Sequence, residues 1–193
     1  SSTKDKASVN IKESLLKNLD FKDTNKKHEQ NDIYKTLANN IAIKLYTLDS
    51  DLIYKEDIDK EIDADLFLFI SKHRAQEERK SLTVHPIGNF GKAEFGGKEN
   101  SLCFCPTLYF KAILDELAKN SANSGYDVTV EATHHGPYLE KPALFIEIGS
   151  TEKEWEDKEA GKIVARAIIN STKEGNTLLN QNNTKINSAF IIG

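Results

Sequence analysis

The chain has 193 residues, of which 38% are hydrophobic and 29% are charged, and its formal net charge is -4. This length supports one sizeable core, so we predict a single domain over residues 1–193. No apolar run approaches the roughly 18 residues that a membrane helix needs, which argues against a membrane partner. The slightly acidic balance gives no general attraction to nucleic acid, so a polyanion would have to bind a local basic patch.

The first third of the chain predicts one helix and several weakly marked elements. Apolar residues at helical spacing predict a helix over residues 7–19, and the polar, lysine-rich residues 21–30 predict a loop. Residues 41–46 and 52–54 have the composition of two strands joined as a hairpin.

Buried strands begin with residues 65–71, a continuous apolar run that is typical of a central strand covered on both faces. Residues 82–85 predict a second short strand that is broken by Pro86. Residues 88–97 contain four glycines, which predicts a long loop with unusual backbone angles.

The remaining elements alternate between helix and strand. Residues 106–119 and 153–170 have apolar faces at helical spacing, and residues 127–133 and 143–148 have strand patterns. This alternation predicts an α/β fold with three layers, α/β/α, around a mixed and mainly parallel sheet.

Cys103 and Cys105 are separated by a single residue, so a strand would place both thiols on the same face. A disulfide between them would be strained, and we expect two reduced thiols in a cytoplasmic protein. A zinc site built on this pair lacks a second cysteine or histidine pair at usable spacing.

Histidines lie at the predicted ends of two strands. His85 ends the strand 82–85, and His134 and His135 follow the strand 127–133 at the point where Gly136 and Pro137 must stop it. Strand alternation would send these two adjacent histidines to opposite sides, so we expect only one of them to enter a given site. The clustering predicts a metal site or an acid–base site, against the alternative of structural histidines.

Two carboxylates accompany these histidines. Glu131 shares a strand face with His135, and Glu147 lies within an otherwise apolar strand. A buried carboxylate must be paired, bound to a metal or shifted in pKa, which leaves a ligand role and a structural ion pair as alternatives for Glu147.

The densest basic cluster follows the strand 65–71 and would contact phosphates or form a solvated loop. It consists of Lys72, His73, Arg74, Arg79 and Lys80. The backbone N–H groups of the loop that contains Gly88, Asn89 and Gly91 could bind a phosphate or an oxyanion, although such loops are often plain turns. The loop matches neither a dinucleotide fingerprint nor a P-loop.

Four segments resemble the archaeal and plant type of D-aminoacyl-tRNA deacylase: residues 71–74, 82–89, 131–137 and 147–155. Members of that family hydrolyse the ester between a D-amino acid and the terminal ribose of tRNA. The resemblance implies zinc dependence, a cytosolic setting and a phosphorylase/hydrolase-like fold similar to that of bacterial peptidyl-tRNA hydrolase.

The sequence departs from the family pattern at two places. Lys72 stands where we expect arginine, and the family continues past a strand like residues 189–193 into a Gly-Gly-x-His-Tyr motif that is absent here. We therefore expect the chain to be truncated at its C-terminal end.

Residues and resemblance together suggest a zinc-activated water attacking the ester of a tRNA 3′ end. We expect His85, His134 and Glu147 to bind zinc, and His135, Glu131 and Glu152 to be catalytic, with either glutamate accepting a proton. The tRNA would contact the basic cluster, the loop at Gly88, Asn89 and Gly91, and the turn formed by Gly149, Ser150 and Thr151. The alternatives are a zinc peptidase or amidohydrolase and a non-catalytic tRNA-binding module, and we expect a monomer.

Overall fold

The computed structural model describes residues 1–181. Its helices are α1 (Lys6–Asn18), α2 (Ile58–Glu61), α3 (Thr107–Ser121), α4 (Glu152–Trp155) and α5 (Lys158–Gln181), with a 3₁₀ helix at Leu52–Tyr54. Its strands are β1 (Lys22–His28), β2 (Asn31–Ala38), β3 (Ile41–Leu45), β4 (Phe67–Lys72), β5 (Ser81–Pro86), β6 (Gly88–Asn89), β7 (Ser101–Leu102), β8 (Asp127–Val130) and β9 (Ala143–Gly149).

The central sheet has the strand order β4-β9-β5-β8. The pairs β4–β9 and β5–β8 are parallel, and the pair β5–β9 is antiparallel. The predicted α/β fold with a mixed, mainly parallel sheet is therefore confirmed. A separate antiparallel sheet has the order β1-β2-β3, and β6 pairs with β7 in a two-stranded ribbon.

The two faces of the central sheet differ in chemistry because side chains alternate along each strand. One face carries Leu82, Val84 and Ile146, which are completely buried in a core shared with α1, α3 and α5. The opposite face carries Thr83, His85 and Glu147, next to a second core. That second core is built from the 3₁₀ helix, α2 and neighbouring loops rather than from long helices.

Within residues 1–181, the two layers that cover the faces of the central sheet are unequal. The three long helices pack into one core on a single face, and no second layer of long helices covers the polar face. Residues 189–193, predicted as a strand, lie outside the described residues. No helix among the described residues is both long and apolar enough to cross a membrane.

Most predicted elements are confirmed, and the errors fall where side chains are exposed. Residues 21–30 contain β1 rather than a loop, because β1 is held by backbone pairing to β2 and has no apolar alternation. Residues 52–54 form a 3₁₀ helix, so the partner of β3 is β2. The predicted helix 153–170 is two helices, α4 and α5, and β8 ends at Val130 instead of residue 133.

Asp5 attaches α1 to the central sheet. One carboxylate oxygen caps α1 by accepting the Ser8 N–H at 3.0 Å. The other accepts the Ser71 hydroxyl at 3.0 Å and the Lys72 N–H at 2.9 Å. Because Asp5 is buried, water could not replace its carboxylate as the acceptor for these three donors.

We predict that Asp5→Ala lowers the free energy of unfolding by about 2–3 kcal/mol, combining a lost helix cap with unpaired buried donors. Urea denaturation followed by circular dichroism measures the change. The matched control is Asp20→Ala, which removes an exposed ion pair with Lys22 and should cost less than about 0.5 kcal/mol. Equal effects of the two variants would contradict the anchoring role of Asp5.

Candidate functional site

The candidate site lies on the polar face of the central sheet, where His85 is the first component. His85 is the fifth residue of β5 and is completely buried. Its ring stacks on Phe145 of β9, with the ring centroids 5.4 Å apart and an interplanar angle of 3°. Packing on a rigid buried ring fixes the orientation of this imidazole.

His134 and His135 reach the same place from the loop after β8. The ring centroid of His85 lies 4.6 Å from that of His134 and 4.9 Å from that of His135. The expectation that only one of them enters the site is wrong, because β8 ends at Val130 and strand alternation stops there. His135 has a φ of 49°, a left-handed conformation uncommon for a non-glycine residue.

Backbone contacts select one tautomer for each of the three rings. The Nδ1 atoms of His85, His134 and His135 lie 2.8, 2.8 and 2.7 Å from the carbonyl oxygens of Pro86, Ala132 and Gly136. A carbonyl oxygen only accepts, so each Nδ1 carries the proton and each Nε2 keeps a lone pair. The buried Nε2 of His85 has no hydrogen-bond partner within residues 1–181.

The environment keeps two of these imidazoles neutral. Burial, followed by the neighbouring His134, lowers the pKa of His85 to about 4. Burial, followed by the neighbouring His85, lowers the pKa of His135 to about 4. Neutral imidazoles with free Nε2 atoms are ligands for a divalent metal ion.

A second group of titratable side chains adjoins the histidines. His73 Nδ1 lies 3.1 Å from Glu131 Oε1 and 3.8 Å from Glu147 Oε2. Burial raises the pKa of Glu131, but the neighbouring His73 and Thr83 side chains outweigh it and bring the value to about 2. Burial and the charge of Glu131 raise the pKa of Glu147 well above its usual value.

The two carboxylates connect both groups. Glu147 Oε2 lies 3.8 Å from His85 Nε2, and Glu131 Oε2 lies 3.7 Å from His134 Nε2. Among the described residues, two sets have donor atoms that all lie within 4.8 Å of one another: His85, His134 and His135, and His73, Glu131 and Glu147. Both donor sets suit a metal ion by chemistry and spacing.

His73 was assigned to phosphate binding from its basic neighbours, and sequence reasoning missed its place beside the carboxylates. The available signal was alternation, because His73 is two residues beyond Ser71 and so falls on the same face as Glu147. Gly149 makes room for it, since a Cβ at that position would lie 2.8 Å from His73 Cδ2.

The other predicted basic residues surround this end of the sheet. Lys72 Nζ and Arg74 Cζ lie 5.7 and 5.3 Å from the ring centroid of Trp155. Lys80 Nζ lies 5.2 Å from the ring centroid of Tyr126. Arg79 Nε donates to Asp127 Oδ2 at 2.6 Å, so that part of its charge is neutralised.

Glu152 is not brought to the histidines. It forms an ion pair with Lys6 of α1, and it belongs to neither of the two donor sets found in residues 1–181. The hydrogen bond from Lys6 lowers the pKa of Glu152. Of the two proposed proton acceptors, only Glu131 contacts the histidine cluster.

The predicted turn of Gly149, Ser150 and Thr151 is held by internal bonds. Ser150 Oγ donates to the Glu77 carbonyl at 2.8 Å and accepts the Arg79 N–H at 2.9 Å. The Thr151 N–H donates to Glu154 Oε2 at 3.2 Å, which occupies it within the capping box of α4.

The glycine loop is attached to the histidine loop. Gly88 N–H donates to the His135 carbonyl at 3.0 Å, and Asn89 Nδ2 donates to the Gly96 carbonyl at 2.9 Å. A Cβ on Gly91 would meet nothing within 4 Å, so space beside this loop is open. Asn89 therefore has a structural partner, and Gly91 lies in open space.

Comparisons with known proteins show which family the chain belongs to. The family model described as D-aminoacyl-tRNA deacylase matches residues 60–193. The D-aminoacyl-tRNA deacylase of Pyrococcus abyssi is 38% identical over 98% of this chain and 68% of its own length. Those of Pyrococcus furiosus and Methanococcoides burtonii are 39% and 38% identical over 86% of this chain, and 62% and 36% of their own lengths.

Solved structures with related folds were also found. The crystal structure of a conserved protein of unknown function has a TM-score of 0.77 at 36% identity, and the match covers 88% of this chain and 60% of that one. A Campylobacter jejuni 5′-methylthioadenosine/S-adenosyl homocysteine nucleosidase has a TM-score of 0.58 at 12% identity, with 86% and 96% covered, which shows likeness of fold alone. By its family model and its archaeal relatives, the chain belongs to the D-aminoacyl-tRNA deacylase family.

Proposed function

We propose that the protein hydrolyses the ester bond between a D-amino acid and the 3′ end of tRNA. The observation that carries this proposal is the convergence of three imidazoles with free Nε2 atoms beside Glu131 and Glu147. Relatives that share this sequence are named D-aminoacyl-tRNA deacylase, although the chain spans only 36–68% of the length of the three relatives compared above. The activity is therefore inferred for the whole protein from one part of it.

The proposal includes zinc. The orphaned Nε2 of His85 is the atom that supports a metal at this place, and His134 and His135 supply two further imidazoles. Three ligands drawn from these imidazoles and the neighbouring Glu147 would leave a coordination position open for water, as catalytic zinc sites require. Zinc bound there would lower the pKa of a coordinated water to about 7 and would polarise the ester carbonyl.

Glu131 acts on the attacking water in this proposal. Its low pKa makes it a carboxylate at neutral pH, so it accepts a hydrogen bond from water and orients it toward the ester. The nearby Nδ1 of His73 holds this carboxylate in place. Glu152, paired with Lys6, has no comparable position.

The basic cluster would receive the phosphates of the tRNA. Lys72 and Arg74 lie over the same indole ring, which holds their charges together at the end of β4. The relation of this fold to bacterial peptidyl-tRNA hydrolase belongs to the same proposal, as does a cytoplasmic monomer. A zinc peptidase would use the same catalytic residues, and it differs in requiring no phosphate contact.

We predict that chelator, or the substitution His134→Ala, lowers the D-Tyr-tRNA deacylation rate of the full-length protein at least about 100-fold. Chelator removes the metal, and the substitution removes one of its ligands. Release of D-tyrosine measures the rate, and plasma emission spectrometry measures the zinc. The matched control is His28→Ala, a histidine on β1 outside both donor sets, which should keep rate and zinc content.

Two results would contradict the proposal. Full activity of protein that holds less than about half an equivalent of zinc would exclude the metal-dependent mechanism. Equal hydrolysis of L-Tyr-tRNA and D-Tyr-tRNA would exclude the proposed chirality.

We predict that Arg74→Gln raises KM for D-Tyr-tRNA about three- to tenfold and reduces the slope of log KM against log salt by roughly one, because one phosphate contact is lost. Steady-state kinetics from 50 to 300 mM KCl measure both quantities. Arg166→Gln, an exposed arginine on α5, is the control that removes the same charge elsewhere. A salt slope near zero in the unsubstituted protein would favour a peptidase or amidohydrolase.

A further inference from the structure

The ribbon formed by β6 and β7 has an exposed apolar face beside the histidines. Gly88 pairs with Leu102, and the Cys103 N–H donates to the Ile87 carbonyl at 2.9 Å. Alternation from these pairs places Phe104 on the same face as Leu102, which lies opposite Gly88, and Phe90 follows directly after β6. These three side chains, here called the apolar ribbon face, are 62%, 49% and 69% exposed.

We infer that the apolar ribbon face stacks the unpaired bases at the 3′ end of the tRNA. This inference rests on the proposed function, since only a tRNA ester brings a polynucleotide end to the histidines. Large aromatic side chains exposed in a group are uncommon on a surface without a binding role. Every base has a π-face, and aromatic side chains on an open surface bind single strands by stacking.

The position of the ribbon supports this occupant. Gly88 N–H donates to the His135 carbonyl at 3.0 Å, and Ile87 bridges to His134, so the ribbon is joined by backbone to the histidine loop. A terminal ribose whose ester lies at the histidines would hold its base within reach of this face. Unstacked bases of the next nucleotides would follow along the ribbon.

The shape of the surface favours bases over the amino-acid side chain. A small group such as one side chain binds in a concave pocket that encloses most of its surface. The apolar ribbon face instead projects into solvent, where a planar base gains contact on one side. In the sequence, Lys92 and Lys98 lie between β6 and β7, and Glu94 and Glu99 balance their charge there. Stacking rather than charge is therefore the main attraction.

The test compares binding of non-acylated tRNA with binding of the same tRNA lacking its 3′-terminal CCA, measured by fluorescence anisotropy with the full-length protein. We expect removal of CCA to weaken binding about tenfold or more in the unsubstituted protein. In Phe90→Ala/Phe104→Ala the two RNAs should bind with nearly equal affinity. The matched control is Leu37→Ala, an apolar side chain that is 68% exposed on β2, and it should retain the difference.

Further variants separate stacking from other uses of the face. Phe104→Trp should retain CCA recognition and Phe104→Leu should lose most of it, because only the aromatic ring stacks. Equal CCA recognition by both would overturn the inference. A dimer that sediments in the unsubstituted protein and dissociates in the double alanine variant would also overturn it, by assigning the face to a second copy.

Kinetics distinguish bases from amino acid. With D-Tyr and D-Ala on the same tRNA, the double alanine variant should lose kcat/KM by the same factor for both. A loss confined to D-Tyr would overturn the inference and assign the face to the amino-acid side chain. Because non-acylated tRNA binding requires no hydrolysis, failure of the proposed activity would be seen separately from failure of base stacking.

Discussion

The position of β9 between β4 and β5 is the constraint on which the site depends. Its register places Glu147 beside Ser71 on one side and Thr83 on the other, while Ile146 and Ile148 face the helices. One face of the sheet is therefore filled with apolar side chains, which contribute most of the free energy of folding. The other face can hold polar groups because the apolar face provides most of the stability of the sheet.

Burial shifts the pKa values of these polar groups and so sets their protonation states. Burial first, and the neighbouring Glu131 second, raise the pKa of Glu147, because two carboxylates close together resist ionising together. Imidazoles in the same environment remain neutral, and backbone carbonyls fix where each carries its proton. A cation placed between the free Nε2 atoms and the carboxylates would relieve the repulsion between the carboxylates. It would also give each Nε2 atom a partner.

The sequence was sufficient to predict the elements whose side chains are buried, because burial imposes a period on the pattern. Alternation also located His85 and Glu147 correctly on strands. It failed for His134 and His135, since the loop after Val130 follows no period and His135 adopts a left-handed conformation. Sequence reasoning did not anticipate the pairing of Glu152 with Lys6 or of His73 with Glu131, because these partners are distant in sequence.

The two ends of β5 differ in a way that bears on selectivity. Arg79 and Lys80 precede its first residue, Ser81, and the strand leads at its other end into the apolar ribbon face. Six residues of strand span about 17–20 Å. A ligand that contacts the basic cluster and the ribbon together must extend past His85 over this length. A small amino-acid ester is too short to do so, whereas a single-stranded nucleic-acid end is long enough. Differential binding along β5 would then direct hydrolysis to esters carried by tRNA.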